Sequence, residues 1–289
     1  MTTPPSTPLL PADGELSVMS FNLRYAKRRS DQPWPRRRPV TRALLNTERP
    51  HLVGTQEGLC HQIHDIAEDL PDHYDWIGVG RGGGERGEYA AIFYDTRRLT
   101  ALDHGHFWLS RRPERVASRS WGTSVERMVT WVLFSDRALG HQLLSANTHF
   151  DHRSARARRH SARLLAERLR ALAPHTPRVV TGDFNTTPEA EPVHRLLLDG
   201  ASLTDTWERA ECRGPDWSTY HGFRAPRQGG ERIDWILSSP DLRCRAALAN
   251  PFALHGQYPS DHLPVQALLT PTDRTGHPHE SPLQEGEVS

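Results

Sequence analysis

The segment "RVVTGDFN", residues 178–185, combines the pattern of a buried strand with two polar side chains at its end. Its first residues are apolar and β-branched, as in a strand inside a sheet. Asp183 and Asn185 then follow two residues apart, and such residues point to the same side of a β-strand. We predict that both enter one cleft while Phe184 packs into the layer behind. An Asx turn before a helix that begins near Pro188 is the local alternative, and the same geometry can serve both.

Similar patterns recur along the chain and indicate the class of fold. Helical spacing of apolar residues is found at residues 38–49, 62–70, 154–173 and 188–200. Strand patterns are found at residues 15–25, 51–57, 74–80, 88–95, 105–110, 128–134, 141–150, 178–185, 232–238 and 264–270. Because several strands follow one another without an intervening helix, a purely parallel, doubly wound sheet is disfavoured. Two packed sheets flanked by helices are predicted instead.

Length and composition limit the remaining possibilities. Residues 14–270 of the 289 are predicted to form one domain, between a Pro-, Thr- and Ser-rich disordered tail at 1–13 and a polar tail at 271–289. The net charge of +1 disfavours a long contact surface for duplex nucleic acid but allows a small phosphorylated substrate. Three isolated cysteines give no zinc or disulfide pattern. Without a signal peptide or an apolar run of about 20 residues, we expect a cytoplasmic protein with no membrane span and no obligate protein partner.

Polar side chains stand at the ends of these strand patterns. They are Asn22, Glu57, His149, Asp183, Asn185, Asp234, Asp261 and His262. Each alone is explained by a turn or a helix cap, although Asp234 lies between apolar residues, where a carboxylate needs a partner. Carboxylate and carboxamide oxygens are hard ligands suited to Mg²⁺ or Mn²⁺. Together with such an ion, Asp, Asn and His can activate a water and stabilise a leaving group in phosphoester hydrolysis.

Six short motifs carry a resemblance to a known superfamily. They are "MSFNLRY" (19–25), "TQEG" (55–58), "NTHFDH" (147–152), "TGDFN" (181–185), "RIDWIL" (232–237) and "SDHLPV" (260–265). Each motif is weak, but their order resembles the endonuclease/exonuclease/phosphatase superfamily, which includes DNase I-like nucleases, sphingomyelinases and inositol phosphatases, and above all its small bacterial members. The resemblance extends over about residues 15–270. It implies a DNase I-like, four-layer α/β/β/α sandwich of two mixed, mostly antiparallel sheets, with the site at one edge of the paired sheets.

The resemblance also implies a metal site for Mg²⁺ or Mn²⁺. Glu57 corresponds to the principal ligand, and Asn22 and Asp261 complete its shell directly or through water. Asp183 is a further ligand in the family's pattern, and it could share a second ion with Asn185 and the terminal histidine. The number of ions stays open.

Catalytic roles follow from the same resemblance. Asp183 and Asn185 orient the attacking water and hold the scissile phosphate. His262 with Asp234 resembles the family's His–Asp pair, and either His262 or Asp183 is the general base. His149 resembles the second histidine, a phosphate ligand or proton donor to the leaving group. That histidine is expected to lean on a glutamate of an earlier strand, a place that Glu88 occupies.

Substrate contacts are expected from residues near these motifs. The candidates are Arg24, Asp151, Trp121, Tyr220 and Phe223. Asp151 could instead cap the helix that follows, where Ser154 competes for that role. The aromatic residues could equally serve as buried packing, and the arginines that follow Arg24 are expected to form a solvated face.

The predicted function is hydrolysis of a phosphodiester or phosphomonoester by an activated water. A phosphorylated small molecule is the expected substrate, and a nuclease acting on DNA or RNA, for example on a short single strand, is the alternative. A catalytically silent binding protein of the same fold is a third reading. Such a descendant typically loses a metal carboxylate or the terminal histidine, whereas every expected position is filled here.

Overall fold

The computed structural model describes residues 8–27, 29–190 and 192–272. Its strands are β1 (Leu16–Asn22), β2 (Leu52–Gln56), β3 (Tyr74–Ile77), β4 (Ile92–Asp95), β5 (Leu99–Trp108), β6 (Met128–Asp136), β7 (His141–His149), β8 (Arg178–Asp183), β9 (Thr204–Asp205), β10 (Cys212–Arg213), β11 (Asp234–Ser238), β12 (Leu242–Ala249) and β13 (Val265–Pro271). Its helices are α1 (Trp34–Glu48), α2 (Cys60–Asp69), α3 (Ala155–Leu172), α4 (Val193–Ala201) and the short α5 (Thr206–Arg209).

The strands form two sheets. One has seven strands in the order β10-β12-β13-β1-β2-β4-β3, and the other has six in the order β5-β6-β7-β8-β11-β9. The β1–β2, β7–β8 and β10–β12 pairs are parallel. The remaining neighbours within these sheets are antiparallel. Both sheets are therefore mixed and mostly antiparallel, as predicted.

Three apolar clusters hold the layers together. The inner cluster joins the two sheets through residues such as Val18 of β1 and Val132 of β6. Met19, the next residue of β1, belongs to an outer cluster with α1 and α2. A second outer cluster joins α3 and α4 to the six-stranded sheet, where Phe184 and Trp235 stack with ring centroids 4.4 Å apart. Alternate residues of a central strand thus face two buried layers, which explains the continuous apolar runs. The predicted four-layer α/β/β/α sandwich is confirmed.

Several element boundaries differ from the prediction. Strand β12 was not predicted because "LRCRAALA" mixes arginines with alanines, which are poor strand formers; its pairing with β13 makes it a strand. Strand β5 begins at Leu99, six residues before the predicted start at 105. Strand β4 begins only at Ile92, since the residues before it belong to a glycine-rich loop. Helix α4 begins at Val193 and not near Pro188.

The two predicted tails lie mainly outside the described residues. Among the described residues of the first tail, the Leu9 N–H donates to Oε2 of the buried Glu48 over 3.0 Å. At the other end, β13 continues to Pro271, and the Thr272 N–H bonds to the Asp241 carbonyl. None of the described helices is long and apolar enough to cross a membrane.

A buried polar cluster interrupts the apolar interface between the two sheets. Asn147 Nδ2 donates to the carbonyls of Thr55 at 2.7 Å and Ala91 at 3.0 Å. Its Oδ1 accepts from Gln56 Nε2 at 2.7 Å and from Thr181 Oγ1 at 3.0 Å. Both amide N–H groups and both oxygen lone pairs of Asn147 are therefore used. The cluster links β2, β7 and β8, each of which presents a predicted site residue one or two positions further on.

Candidate active site

A pocket of about 490 Å³ lies at the edge of the paired sheets. Nine of the predicted site residues line it: Arg24, Glu57, Glu88, His149, Asp183, Asn185, Tyr220, Asp261 and His262. Two more, Asn22 and Asp234, are buried and bonded to residues of this lining. The pocket therefore brings together residues from both ends of the chain.

Asn22 joins two of the carboxylates at the floor of the pocket. Its Nδ2 donates to Asp183 Oδ2 at 2.9 Å and to Glu57 Oε1 at 3.4 Å. Its Oδ1 accepts from the Arg24 N–H at 3.0 Å. Burial of Asp183 and the negative charge of Asp234 raise the pKa of Asp183 to about 7, against the opposing effect of His262. Closely spaced buried carboxylates of this kind are stabilised by a cation.

Glu57 and Asp261 lie on either side of one guanidinium. Arg24 Nε is 3.5 Å from Asp261 Oδ2, and Arg24 Nη1 is 4.0 Å from Glu57 Oε2. The Tyr25 N–H donates to Glu57 Oε2 at 3.1 Å and fixes the orientation of that carboxylate. The two carboxylates expected to share a metal ion thus face a common positive charge.

The donor set fits a hard divalent cation. Ligand atoms of Glu57, His149 and Asp183 lie within 4.8 Å of one another, as do those of Asp183, Asp234 and His262. The carboxylate oxygens of these groups suit Mg²⁺ or Mn²⁺, and neither group contains the thiolate that soft ions prefer. Asp261 is in neither group, so its direct ligation stays a prediction.

No arginine was expected to be buried, but Arg37 of α1 is buried and binds the backbone of the segments next to Asn22 and Asp261. Its guanidinium is fully buried and donates to the carbonyls of Leu23 at 2.6 Å, Arg24 at 2.8 Å and Pro259 at 3.0 Å. Burial lowers its pKa to about 10. The expectation of a solvated face is therefore wrong for Arg37, which ties the loop after β1 to the segment before Asp261.

His262 and Asp234 form the expected pair. His262 Nδ1 lies 2.9 Å from Asp234 Oδ2, and both side chains are buried. Burial opposes the charged imidazolium, but the carboxylates of Asp234 and Asp183 outweigh it and raise the pKa of His262 to about 10. The pair therefore favours an imidazolium that points its other nitrogen towards Asp183, whose Oδ2 is 3.9 Å away.

His149 is held by Asn185 and Asp183. Asn185 Nδ2 is 2.9 Å from His149 Nε2, and Asp183 Oδ2 is 3.3 Å from the same nitrogen. Burial, and then the positive charge of Arg127, lower the pKa of His149 well below its ordinary value. A neutral imidazole that accepts from Asn185 carries its proton on Nδ1. The two histidines of the site therefore differ in charge.

The end of β8 departs from the predicted extended geometry. The strand ends at Asp183, and Asn185 has a left-handed backbone with φ of 53°. Asp183 Oδ1 accepts from the Asn185 N–H at 2.9 Å, which is the Asx turn of the local alternative. Asn tolerates this conformation better than most residues. The turn, and not the strand period, directs both side chains to the pocket, while Phe184 is buried behind them as predicted.

Glu88 does not make the expected contact. It precedes β4, and its Oε2 accepts from Arg81 Nη1 at 2.6 Å. Among the described residues no hydrogen bond joins Glu88 to His149, although both line the pocket. Burial and the charge of Glu57 raise the pKa of Glu88, and Arg81 opposes this shift. The glycine-rich loop before β4 explains the difference, because it places an arginine beside the carboxylate.

Three substrate-contact candidates lie outside the pocket lining. Trp121 stacks on His160 with ring centroids 4.9 Å apart. Asp151 is buried and accepts from the N–H of Ser154 at 2.6 Å, which makes it part of the turn before α3. Phe223 packs near His221. The turn explains Asp151, whereas Trp121 and Phe223 are only partly buried, so their contact with substrate stays a prediction. Tyr220 lines the pocket and is 52% exposed.

The sequence reasoning missed other lining residues. They are Tyr25, Arg81, Val125, Arg127, His152 and Ile233. Arg81 had a usable signal, since it lies in the glycine-rich segment "GRGGGERGE" (80–88), whose composition is typical of a loop at a binding site. Arg127 gave none, because a single arginine before a strand usually faces solvent.

Comparison with known proteins places this geometry in a family. The chain matches the model of the endonuclease/exonuclease/phosphatase family over residues 19–262. No curated protein matches it. The structure of an endonuclease/exonuclease/phosphatase from Bacteroides vulgatus is 32% identical, with a TM-score of 0.84, covering 89% of this chain and 99% of that chain.

Two further structures extend the comparison. The mannosyl-6-phosphatase of Bacteroides thetaiotaomicron is 33% identical, with a TM-score of 0.82, covering 88% of this chain and 99% of its own. The human Nocturnin catalytic domain is 19% identical, with a TM-score of 0.70, covering 89% and 94%, and is similar in fold alone. The chain therefore belongs to the endonuclease/exonuclease/phosphatase family, whose members are phosphoesterase hydrolases.

Proposed function

We propose that this protein is a Mg²⁺- or Mn²⁺-dependent phosphoesterase that hydrolyses a phosphorylated small molecule. One observation carries the proposal: distant carboxylates and two buried histidines converge on a single pocket at the edge of the sheets. Buried carboxylates at such short distances repel one another unless protons or cations compensate them. A hydrated divalent ion supplies that compensation and is the usual partner of phosphate in enzymes.

The proposed metal ligands are Glu57 and Asp183, with Asn22 and Asp261 completing the shell directly or through water. Their carboxylate and amide oxygens match the preference of Mg²⁺ and Mn²⁺ for hard ligands. When bound, the ion would neutralise phosphate charge and make a water more acidic. Arg24, which faces the same carboxylates, is suited to contact a phosphate oxygen once a cation replaces it there.

The proposed proton transfers involve His262 and Asp183. His262, held as an imidazolium by Asp234, is suited to donate to a phosphate oxygen. Asp183, which borders both histidines, is the proposed acceptor of the proton of the attacking water. Asn185 would orient that water and the phosphate. His149 would stand on the side of the leaving group.

The substrate is proposed to be a phosphorylated sugar or a molecule of similar size. The pocket of about 490 Å³ is large enough for one such molecule. The mannosyl-6-phosphatase of Bacteroides thetaiotaomicron, at 33% identity over most of both chains, supports this class. A net charge of +1 gives little support to a long nucleic-acid track. Cleavage of a short single strand remains the alternative outcome of the test.

The test is a substrate panel measured with Mg²⁺ or Mn²⁺ and with EDTA. The panel contains a hexose 6-phosphate, phenyl phosphate, a diaryl phosphodiester and a single-stranded oligonucleotide. We expect phosphate release from the monoesters that EDTA abolishes, and a loss of about 10²–10⁴-fold in His262→Ala. The matched control is His141→Ala, an exposed histidine at the start of β7. Full activity in EDTA would overturn the proposal, and preferential, steeply salt-dependent oligonucleotide cleavage would favour the nuclease.

Metal binding separates the enzyme from a silent binding protein of the same fold. Calorimetric titration of the purified protein with Mn²⁺ should give saturable binding that Glu57→Gln weakens. The control is Glu85→Gln, an exposed glutamate in the loop before β4. A protein that takes up neither ion would revive the silent alternative.

A further inference from the structure

One wall of the pocket consists of charged residues that have no role in the proposed chemistry. It is formed by Arg81, Glu88 and Arg127, and we call it the Arg–Glu–Arg wall. A small cavity of about 10 Å³ has the same three residues, Glu126 and His149 in its lining. The wall is therefore adjacent to the histidine that we assign to the side of the leaving group.

The glycine-rich loop before β4 builds the first half of this wall. The Arg81 N–H donates to the Glu88 carbonyl at 2.9 Å, and the side chains of the same two residues form a 2.6 Å ion pair. Gly83 and Gly87, with φ of 89° and 83°, allow the reversal of the chain between them. Trp108 Nε1 donates to the Arg81 carbonyl at 2.7 Å and anchors the loop. The ion pair is therefore held by a closed loop.

Arg127 forms the second half and has unused hydrogen-bonding capacity. The residue is only 6% exposed, and its Nε has no hydrogen-bond partner among the described residues. Its Nη2 lies 3.2 Å from His152 Nδ1. A buried guanidinium donor without a partner is unfavourable, and an acceptor bound in the pocket that Arg127 lines would relieve this.

The residues of the Arg–Glu–Arg wall indicate which kind of ligand group it can bind. Two guanidinium groups offer donors, and the Glu88 carboxylate, which is paired with Arg81, offers acceptors. A second phosphate would use the donors but would be repelled by Glu88. A hydroxyl group both donates and accepts, and adjacent hydroxyls can therefore use the carboxylate and the guanidinium together. The wall thus matches a neutral, polyhydroxylated group better than a second anion.

We propose that the Arg–Glu–Arg wall is a specificity subsite that binds the hydroxyl groups of the leaving alcohol, so that the enzyme prefers sugar phosphates to phosphomonoesters without hydroxyls. This inference rests on the proposed phosphoesterase function. Glu88 is then a specificity residue that contacts substrate, in place of the orienting partner of His149 that the family resemblance implies. The two roles make different predictions, because an orienting partner affects every substrate alike.

The kinetic test compares two monoesters in one variant. Glu88→Gln keeps the shape of the side chain and removes its charge. We expect the ratio of kcat/KM for a hexose 6-phosphate to kcat/KM for phenyl phosphate to fall by about 10-fold to 100-fold, as expected for the loss of hydrogen bonds between a charged group and hydroxyls. Glu85→Gln, the same change at an exposed position of the same loop, should keep the wild-type ratio. Equal losses for both substrates in Glu88→Gln would overturn the subsite.

A binding measurement tests the subsite even if the protein hydrolyses neither monoester. The metal-loaded wild-type protein is titrated with a hexose 6-phosphonate and with methylphosphonate, which hydrolysis does not consume. The subsite requires that the hexose compound binds at least about tenfold more tightly and that Glu88→Gln removes this advantage. Equal affinities would overturn it. Tighter binding of the hexose compound by a protein that hydrolyses neither monoester would support the subsite and refute the proposed function.

Discussion

Replacing Asn147 with aspartate keeps the shape of the side chain but removes its two N–H groups. These groups donate to the carbonyls of Thr55 and Ala91 between the sheets. In Asn147→Asp an oxygen would stand 2.7 Å and 3.0 Å from those two carbonyl oxygens. A carboxylate is unfavourable in that place, because residue 147 is fully buried and its printed partners are neutral amide, hydroxyl and carbonyl groups. The introduced carboxyl must therefore be protonated in the folded state.

The size of the effect follows from two contributions. One carbonyl loses its partner, which costs about 1–3 kcal/mol. Protonating a carboxyl of ordinary pKa 3.9 at pH 7 costs about 4 kcal/mol, since each pH unit contributes about 1.4 kcal/mol. The folded pKa is raised, so this second contribution vanishes below about pH 4 and grows as the pH rises. We expect a total loss of roughly 5–7 kcal/mol at pH 7 and roughly 2–4 kcal/mol at pH 4.5.

Urea denaturation followed by tryptophan fluorescence, at pH 4.5 and at steps up to pH 7, measures this difference. A loss of this size at neutral pH is comparable with the whole stability of many domains, so the series should begin at acidic pH. The control is Gln142→Glu, the same amide-to-carboxylate change at an exposed position of β7, where water can solvate the new charge. We expect a change under about 1 kcal/mol there, with no growth with pH. A pH-independent loss in Asn147→Asp would refute the reasoning, because it would mean that the carboxyl is ionised or hydrated between the sheets.

Three further predictions address the site, the acid stability and the contact between sheets. Arg24→Gln should tighten Mn²⁺ binding in calorimetry by about 3–10-fold, because it removes a positive charge that competes with the ion for Glu57 and Asp261. Arg24→Lys keeps that charge and should leave the affinity unchanged. Weaker Mn²⁺ binding in Arg24→Gln would contradict this reasoning. Burial lowers the pKa of His51 to about 4, because the buried ring is more stable without a charge. The stability that the neutral ring contributes to the fold is complete above about pH 6.5 and is lost as the pH falls towards 4. His51→Asn can still accept a hydrogen bond from the Ser17 N–H. Between pH 7 and 4.5 its free energy of unfolding should fall by roughly 2–3 kcal/mol less than that of the wild type. Identical pH profiles in urea denaturation would exclude His51 as a source of acid sensitivity. Gly54→Ala would place the new Cβ 1.9 Å from Thr181 Oγ1 and should lower the free energy of unfolding by about 1–3 kcal/mol. In the double variant with Thr181→Gly, the loss should be smaller than the sum of the two single losses. A loss equal to that sum in thermal denaturation would mean that the contact is absent.

The convergence of the site could be predicted from the sequence because it depends on strand ends. Glu57 follows β2 directly, His149 is the last residue of β7, and Asp183 is the last residue of β8. Parallel neighbours end at one edge of their sheet, as β1 and β2 do in one sheet and β7 and β8 in the other, so polar residues at their ends lie close together. The His262–Asp234 pair needed the family resemblance, since no local pattern links residues 28 positions apart.

Contacts that depend on side-chain burial could not be predicted. The partner of Glu88 is set by a loop whose glycines have positive φ, and strand periodicity does not describe such a loop. Arg37 and Arg127 are buried although arginine is usually exposed, because their donors meet backbone carbonyls and a pocket that exist only after folding. Asn147 looks like any polar residue in a strand, and its role appears only when the second sheet is in place.

Strand register connects this buried cluster to the chemistry. In the six-stranded sheet, His149 pairs with Asp183, and Asp183 pairs with Asp234, so three site residues form one row across β7, β8 and β11. Two residues back along β7 and β8, Asn147 pairs with Thr181. A slip of one residue would turn every side chain of the moved strand to the opposite face. Because Asn147 is satisfied only in this register and only against β2 of the other sheet, it disfavours such a slip in β7. The same contacts that a buried polar side chain needs for stability therefore align the row of charged residues, and variants of Asn147 should lose metal affinity together with stability.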